Sequence, residues 1–152
     1  MGDCYKRKGL LGKAEEHYLM VLEEDAQQPQ VLNNLGALYL DLSRYEEALP
    51  FLLRAVGVRP SMADGHNNLG VFYLHEEDLD KAITSFRRAV ELDPGMAPAR
   101  LNIAGCFMRL QRWEEAVAEL EMVLELEPEN VEAKRALRGA ERQLRAARAS
   151  GA

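Results

Sequence analysis

Asn33-Asn34-Leu35-Gly36 recurs as Asn67-Asn68-Leu69-Gly70, and one step further stands Leu101-Asn102-Ile103-Ala104, with alanine in place of the glycine. The quartets begin at 33, 67 and 101, a constant step. A fixed period of this length marks an array of stacked supersecondary units. Residues around the quartet keep the same register. Tyr39, Tyr73 and Phe107 form an aromatic column; Ala48, Ala82 and Ala116 form a small-residue column, preceded by Glu46-Glu47, Asp80-Lys81 and Glu114-Glu115. Leu52, Phe86 and Leu120 follow, then Ala55, Ala89 and Val123, and finally Pro60, Pro94 and Pro128. Read backwards, Gly2, Tyr5, Ala14, Tyr18 and Val21 fall into the same columns.

Each column has a mechanical reading. Leu35, Leu38 and Tyr39 lie three to four apart and make one apolar helical face; Ala48, Leu52 and Ala55 repeat that spacing on a second helix. Small residues at Gly36 and Ala48 let the two helices approach closely as an antiparallel pair. Each proline lacks an amide hydrogen and biases its predecessor away from helix, so the second helix ends just before it. The register predicts one domain over 1–152, with complete units at 29–62, 63–96 and 97–130, an incomplete unit at 1–28 and a further helix over 131–149. Helix breaks are expected near 42–44, 58–62, 76–79, 92–96, 110–112 and 127–130. The first unit reads either as a shortened helix or as the cut end of a longer array, and the second reading is favoured. Pro50 falls inside a second helix, opposite Ala48 and Leu52, where it removes one backbone hydrogen bond and should bend the helix toward solvent.

This period, with Leu-Gly, aromatic, Ala, Leu or Phe, Ala and Pro in order, resembles the tetratricopeptide repeat family, over Met1 to about Pro128. The resemblance implies an all-α, right-handed solenoid of antiparallel helix pairs, with the first helix of each pair lining a concave surface and the last helix solvating the array's end. Excluding the packing columns leaves Asn33, Asn34, Ala37, Leu40 and Asp41 to line that surface in the first complete unit. The second contributes Asn67, Asn68, Val71, Leu74 and His75, and the third Leu101, Asn102, Gly105, Met108 and Arg109.

Asn34, Asn68 and Asn102 are the sharpest functional signal. An asparagine amide offers an acceptor and two donors and can pair with both halves of a peptide unit. Three at equal steps suit an extended backbone, and they resemble the asparagine ladder of peptide-binding superhelices such as the O-linked N-acetylglucosamine transferases. The competing reading is that they satisfy local polar groups. Leu40, Val71, Leu74 and Met108, if exposed in a concavity, suggest a groove that expects a chain. Where heat-shock chaperone adaptors place carboxylate-clamping lysines, Asn33, Asn67 and Leu101 stand instead, which puts that function in doubt. The last helix sets Ala133, Leu137, Ala140, Leu144 and Ala147 on one face, with Arg135, Arg138, Arg142 and Arg145 opposite. The plain reading is a solvating cap; the alternative is that Arg135 and Arg142 turn toward the groove and grip an acidic segment.

Composition narrows the remaining classes. The chain of 152 residues carries a net charge of −6, which argues against a general nucleic-acid binder. That charge is uneven: residues 131–149 carry +4 and residues 1–130 carry −10. No apolar run approaches the ~20 residues that span a bilayer, and the N-terminus has no apolar core behind its charges. Neither a secretory signal nor membrane insertion is expected, and the cytoplasm is favoured. Cys4 and Cys106 share one column three repeats apart, too distant for a disulfide, and read as small buried hydrophobes in a reducing compartment. His17, His66 and His75 lie in three different columns, and no nucleophile motif, phosphate loop or zinc spacing occurs. His66 stands in a packing column and reads as a partly buried spacer.

The expected function is therefore a non-enzymatic scaffold, without cofactor or metal, that binds an extended segment of another protein in its groove. The alternative is the substrate-recruiting part of a larger enzyme such as a glycosyltransferase, with the catalytic domain outside these residues. Self-association through the array ends can accompany either.

Overall fold

The structure, a computed structural model, describes residues 2–150, with side chains from residue 10 onward. It contains α1 (Gly2–Glu24), α2 (Pro29–Asp41), α3 (Tyr45–Val58), α4 (Ala63–His75), α5 (Leu79–Leu92), α6 (Ala97–Arg109), α7 (Trp113–Leu126) and α8 (Val131–Ser150). No strand occurs among the described residues. The chain is an all-α solenoid of helix pairs. α2 packs on α3, α4 on α5 and α6 on α7, with α1 against α2 and α8 against α7 at the two ends. All six expected breaks are present, and α2, α4, α6 and α8 start one period apart, at Pro29, Ala63, Ala97 and Val131.

The turn inside each pair is built identically. Ser43, Glu77 and Gln111 adopt positive φ of 58°, 59° and 58°. The amide that follows each donates back into the preceding helix: Arg44 to the Tyr39 carbonyl at 2.8 Å, Asp78 to Tyr73 at 3.0 Å, Arg112 to Phe107 at 2.9 Å. Ser43 donates to Leu40 and Gln111 to Met108, completing a left-handed cap that satisfies helix-end carbonyls. Between units, the amides of Met62, Met96 and Asn130 bond the carbonyls of Arg59, Asp93 and Glu127, a second repeated turn that holds Pro60, Pro94 and Pro128 outside the helices.

Packing follows the columns. Ala48, Leu52, Ala55, Ala82, Phe86, Ala89, Ala116, Leu120 and Val123 are fully buried. A Cβ at Gly36 would lie 2.5 Å from Leu52 Cδ2, and one at Gly70 2.5 Å from Phe86 Cδ1 and Cε1, so these glycines set the helix spacing within their pairs. Ala104 fills the same place opposite Leu120. Pro50 lies inside α3 on its exposed side, as its register requires.

The incomplete first unit departs from its columns. No turn interrupts α1, although Gly9 stands one period before the left-handed Ser43. Extending an existing helix adds one hydrogen bond per residue, whereas a new short helix must be nucleated again, so Gly2–Leu10 continue α1 without a break. The later part of α1 does behave as a second helix: Leu11, Ala14, Tyr18 and Leu22 pack against the first core cluster. Cys106 is buried and free, and burial raises its thiol pKa; the Cys4 side chain lies outside the described residues.

At the far end, Ala133 and Ala140 are buried and Leu137 packs against the core cluster that holds Leu120, covering the last pair as a cap would. Asn130 caps α8 by accepting from the Ala133 amide at 2.9 Å.

Candidate interaction groove

The first helices touch across units, α2 with α4 and α4 with α6, while no comparable contact joins α3 to α5 or α5 to α7. The more closely spaced row lies on the inside of the curve, so α2, α4 and α6 line the concave face. Asn34, Asn68 and Asn102 occupy equivalent, half-buried places on that row. Asn34 and Asn102 form no side-chain hydrogen bond among the described residues, and their amides are open. Asn68 is partly committed: its Nδ2 donates to Asn33 Oδ1 at 2.9 Å, tying α4 to α2.

Several expected lining residues belong instead to the seam between units. Asn33 is 4% exposed and serves as acceptor for Asn68. Leu40 is 8% exposed and sits in the core cluster of the first unit. Val71, Leu74 and Met108 are half-buried and packed against the core. The expectation of an apolar, open groove floor is thereby corrected: a residue that faces away from its own partner helix meets the first helix of the neighbouring unit. Asn67 Oδ1 is also buried at such a seam and has no hydrogen-bond partner, because no counterpart of the Asn33–Asn68 bond forms with Asn102. Leu101 is half-buried and packed against the core, and Gly105 is exposed, with nothing within 4 Å of a Cβ built on it.

His75 and Arg109 are exposed at the turn end of the groove and reach back to the preceding unit. His75 stacks on Tyr45 with ring centroids 4.5 Å apart, and Arg109 pairs with Glu77 at 3.1 Å. Arg135 and Arg142 are exposed on α8, where they share an open hollow with Arg138 and Arg145. His66 is half-buried, its Nε2 lying 2.9 Å from the Pro60 carbonyl.

One recurrent feature was missed in the sequence. A cation covers the aromatic column in every complete unit: Arg44 over Tyr39 at 4.4 Å, Lys81 over Tyr73 at 5.4 Å, Arg112 over Phe107 at 4.6 Å. Each cation is held by a carboxylate three residues away. Arg44 bonds Glu47 through two nitrogens at 2.7 and 2.6 Å, Arg112 bonds Glu115 likewise, and Lys81 pairs with Asp78 at 2.7 Å. The signal lies in the turn residues Arg44, Asp78 and Arg112, each followed three residues later by a residue of opposite charge. Arg44 also bonds Glu15 of α1 at 2.9 Å, and the Tyr39 hydroxyl donates to the same carboxylate at 3.0 Å. The Arg44 bond holds the Glu15 carboxyl below its usual range, and burial, helped by Glu15, pushes Tyr39 up to about 12.

A row of helix pairs with a constant period, paired small and large residues and a concave row of first helices defines a helical-repeat solenoid. Two models of the family described as Tetratricopeptide repeat match the chain, over residues 33–97 and 73–141, and the chain belongs to that family. In shape it is similar to MamA, with a TM-score of 0.81 at 23% identity over 92% of this chain and 82% of that one, a likeness of fold alone. It is also similar to the first TPR of Spaghetti (RPAP3) bound to an HSP90 peptide, with a TM-score of 0.75 at 29% identity over 79% and 95% of the two chains. A third likeness is to YrrB, described as a TPR protein with an unusual peptide-binding site, with a TM-score of 0.75 at 25% identity over 89% and 70%. In sequence the chain is 38% identical over 64 residues to the human protein O-mannosyl-transferase TMTC1, and the match spans 42% of this chain and 7% of that protein. No helix among the described residues is long and apolar enough to cross a membrane.

Proposed function

We propose that this chain is a non-catalytic protein–protein interaction scaffold that holds an extended segment of a partner along α2, α4 and α6. The tetratricopeptide fold itself suggests an interaction scaffold. The observation that supports the finer reading is the column of Asn34, Asn68 and Asn102 on the inner row, with two amides open and the third keeping Oδ1 and one N–H after its bond to Asn33. Similar solved structures described as peptide-bound or peptide-binding support a protein or peptide partner. A backbone-directed ladder accepts many sequences, so side-chain specificity must come from neighbours such as Arg109.

The test is affinity capture from the source cell, followed by titration of the captured partner's segment against the chain and its Asn34→Ala/Asn102→Ala variant. Each lost hydrogen bond is worth ~0.5–1.5 kcal/mol, so the double change should weaken binding about fivefold to a hundredfold. Unchanged affinity would remove the ladder. The match to TMTC1 favours a second reading, in which the array recruits a partner or substrate for a larger enzyme; the native reading frame, if it continues into a catalytic domain, decides for it.

A further inference from the structure

Arg135, Arg138, Arg142 and Arg145 are exposed on α8 and form neither an ion pair nor a side-chain hydrogen bond among the described residues. The other two cations of the helix are paired, Lys134 with Glu129 at 3.0 Å and Arg148 with Glu114 at 3.4 Å. The four free arginines fringe an open hollow along one side of α8, with Gly139 and Glu141 completing its lining. At steps of three and four they are neighbours of like charge on one helix, which destabilises a helix. Glu141 stands three residues from Arg138 and four from Arg145, yet pairs with neither. A polar face here solvates the array's end, but like charges at these steps do not strengthen the helix.

The register shows where the hollow belongs. α8 starts one period after α6, so it takes the place of a fourth first helix. Arg135 continues the column of Asn33, Asn67 and Leu101; Gly139 that of Ala37, Val71 and Gly105; Arg142 that of Leu40, Leu74 and Met108. In the complete units the columns of Asn33 and Leu40 form the seam with the next first helix, so Arg135 and Arg142 lie on the outward side of α8. Arg138 and Glu141 stand in the packing columns of Gly36 and Tyr39, so this side of α8 is charged where the other first helices receive a partner.

We propose that the arginine hollow of α8 docks an acidic stretch of a partner polypeptide; this docking does not rest on the groove reading above. A guanidinium fork matches a carboxylate with two parallel bonds, and four of them suit several Asp or Glu side chains in succession. A long nucleic acid is disfavoured, because beyond α8 it would run onto a body carrying −10, and no aromatic ring lines the hollow for a base to stack on.

The probe is fluorescein-labelled octaglutamate against octaglutamine, titrated with the full chain and read by anisotropy at two salt concentrations. Octaglutamate should bind at least tenfold more tightly and weaken with salt. The preference should vanish in R135Q/R138Q/R142Q/R145Q, which should melt no lower than the parent because like charges are removed; single R142E, a lesser change, should weaken binding severalfold. Asn34→Ala/Asn102→Ala should leave octaglutamate binding intact, so failure of the groove reading is separable. Equal binding of the two peptides, or octaglutamate binding retained by the quadruple variant, overturns the proposal. Tighter arginine-dependent binding of oligo-dT or phosphatidylserine vesicles, or self-association lost in the quadruple variant, overturns the choice of occupant.

Discussion

Gly70→Ala tests whether close helix approach inside a unit holds the fold together. The added methyl would lie 2.5 Å from Phe86 Cδ1 and Cε1 and 2.8 Å from Cγ, and Phe86 is fully buried. Ordinary contact begins at 3.4 Å, so a ring locked in the core, or the helix that carries it, must move. Two effects compete. Alanine in a helix interior is favoured over glycine by about 1 kcal/mol, while overpacking a closed core costs about 1–3 kcal/mol. Strain on an enclosed ring belongs at the upper end, so a net loss of about 1–2 kcal/mol is expected. For a domain of this size that is a drop of roughly 2–8 °C in Tm by circular dichroism. Gly105→Ala is the control: nothing lies within 4 Å of its Cβ, so the helix term acts alone and Tm should rise. Gly36→Ala should fall between, because the obstacle is Leu52, whose side chain can change rotamer. The third unit already pairs Ala104 with Leu120, so Gly70→Ala/Phe86→Leu should lose less than the two single changes summed. If Gly70→Ala melts as high as Gly105→Ala, the close-approach argument is wrong.

Asn68→Ala should lower Tm, since it leaves the buried Asn33 oxygen without its donor, at about 1–3 kcal/mol; Asn102→Ala should not, and equal melts for the two would refute the distinction. Ser43→Gly and Gln111→Gly should each stabilise by about 0.5–1 kcal/mol in denaturant unfolding, because both residues hold positive φ that glycine adopts without strain. Glu15, Glu47, Asp78 and Glu115 are all held below the ordinary carboxylate range by their Arg or Lys partners, so their contribution is full above that range and is lost as pH falls through the lowered values. Melts taken from neutral into acid should show this, with Glu15→Gln flattening the curve most because its side chain is only 22% exposed. Truncation after Pro128 should lower Tm and promote aggregation by uncovering Leu120 and Leu124; a stable, soluble product would refute the capping role of α8.

The turns and the core were legible because they depend on one unit and its immediate partner. Pro60, Pro94 and Pro128 mark helix ends whatever surrounds them, and Gly36 with Leu52 can be paired from register alone. The groove was less legible because it depends on how far successive units slide over one another. Helical spacing places Asn33 and Asn34 side by side, yet the neighbouring α4 buries the first and leaves the second half-open. The same seam took Leu40 into the core and tied His75 to Tyr45. The unbroken α1 was hidden for a related reason: Gly9 permits a turn but does not compel one.

The lids over the aromatic column bear on how sequences of such arrays are compared. Arg44 and Arg112 act from the residue before the second helix and are answered by Glu47 and Glu115; in the middle unit Asp78 takes the arginine's place and Lys81 the glutamate's. Taken one position at a time, each site tolerates opposite charges and would pass as unconstrained in an alignment of repeats. Taken as a pair, only two of the four sign combinations occur, and both leave a cation over the ring. The constraint is therefore a covariation, and single exchanges between repeats, such as Arg44→Asp or Lys81→Glu, should be deleterious where the reciprocal double exchange is not.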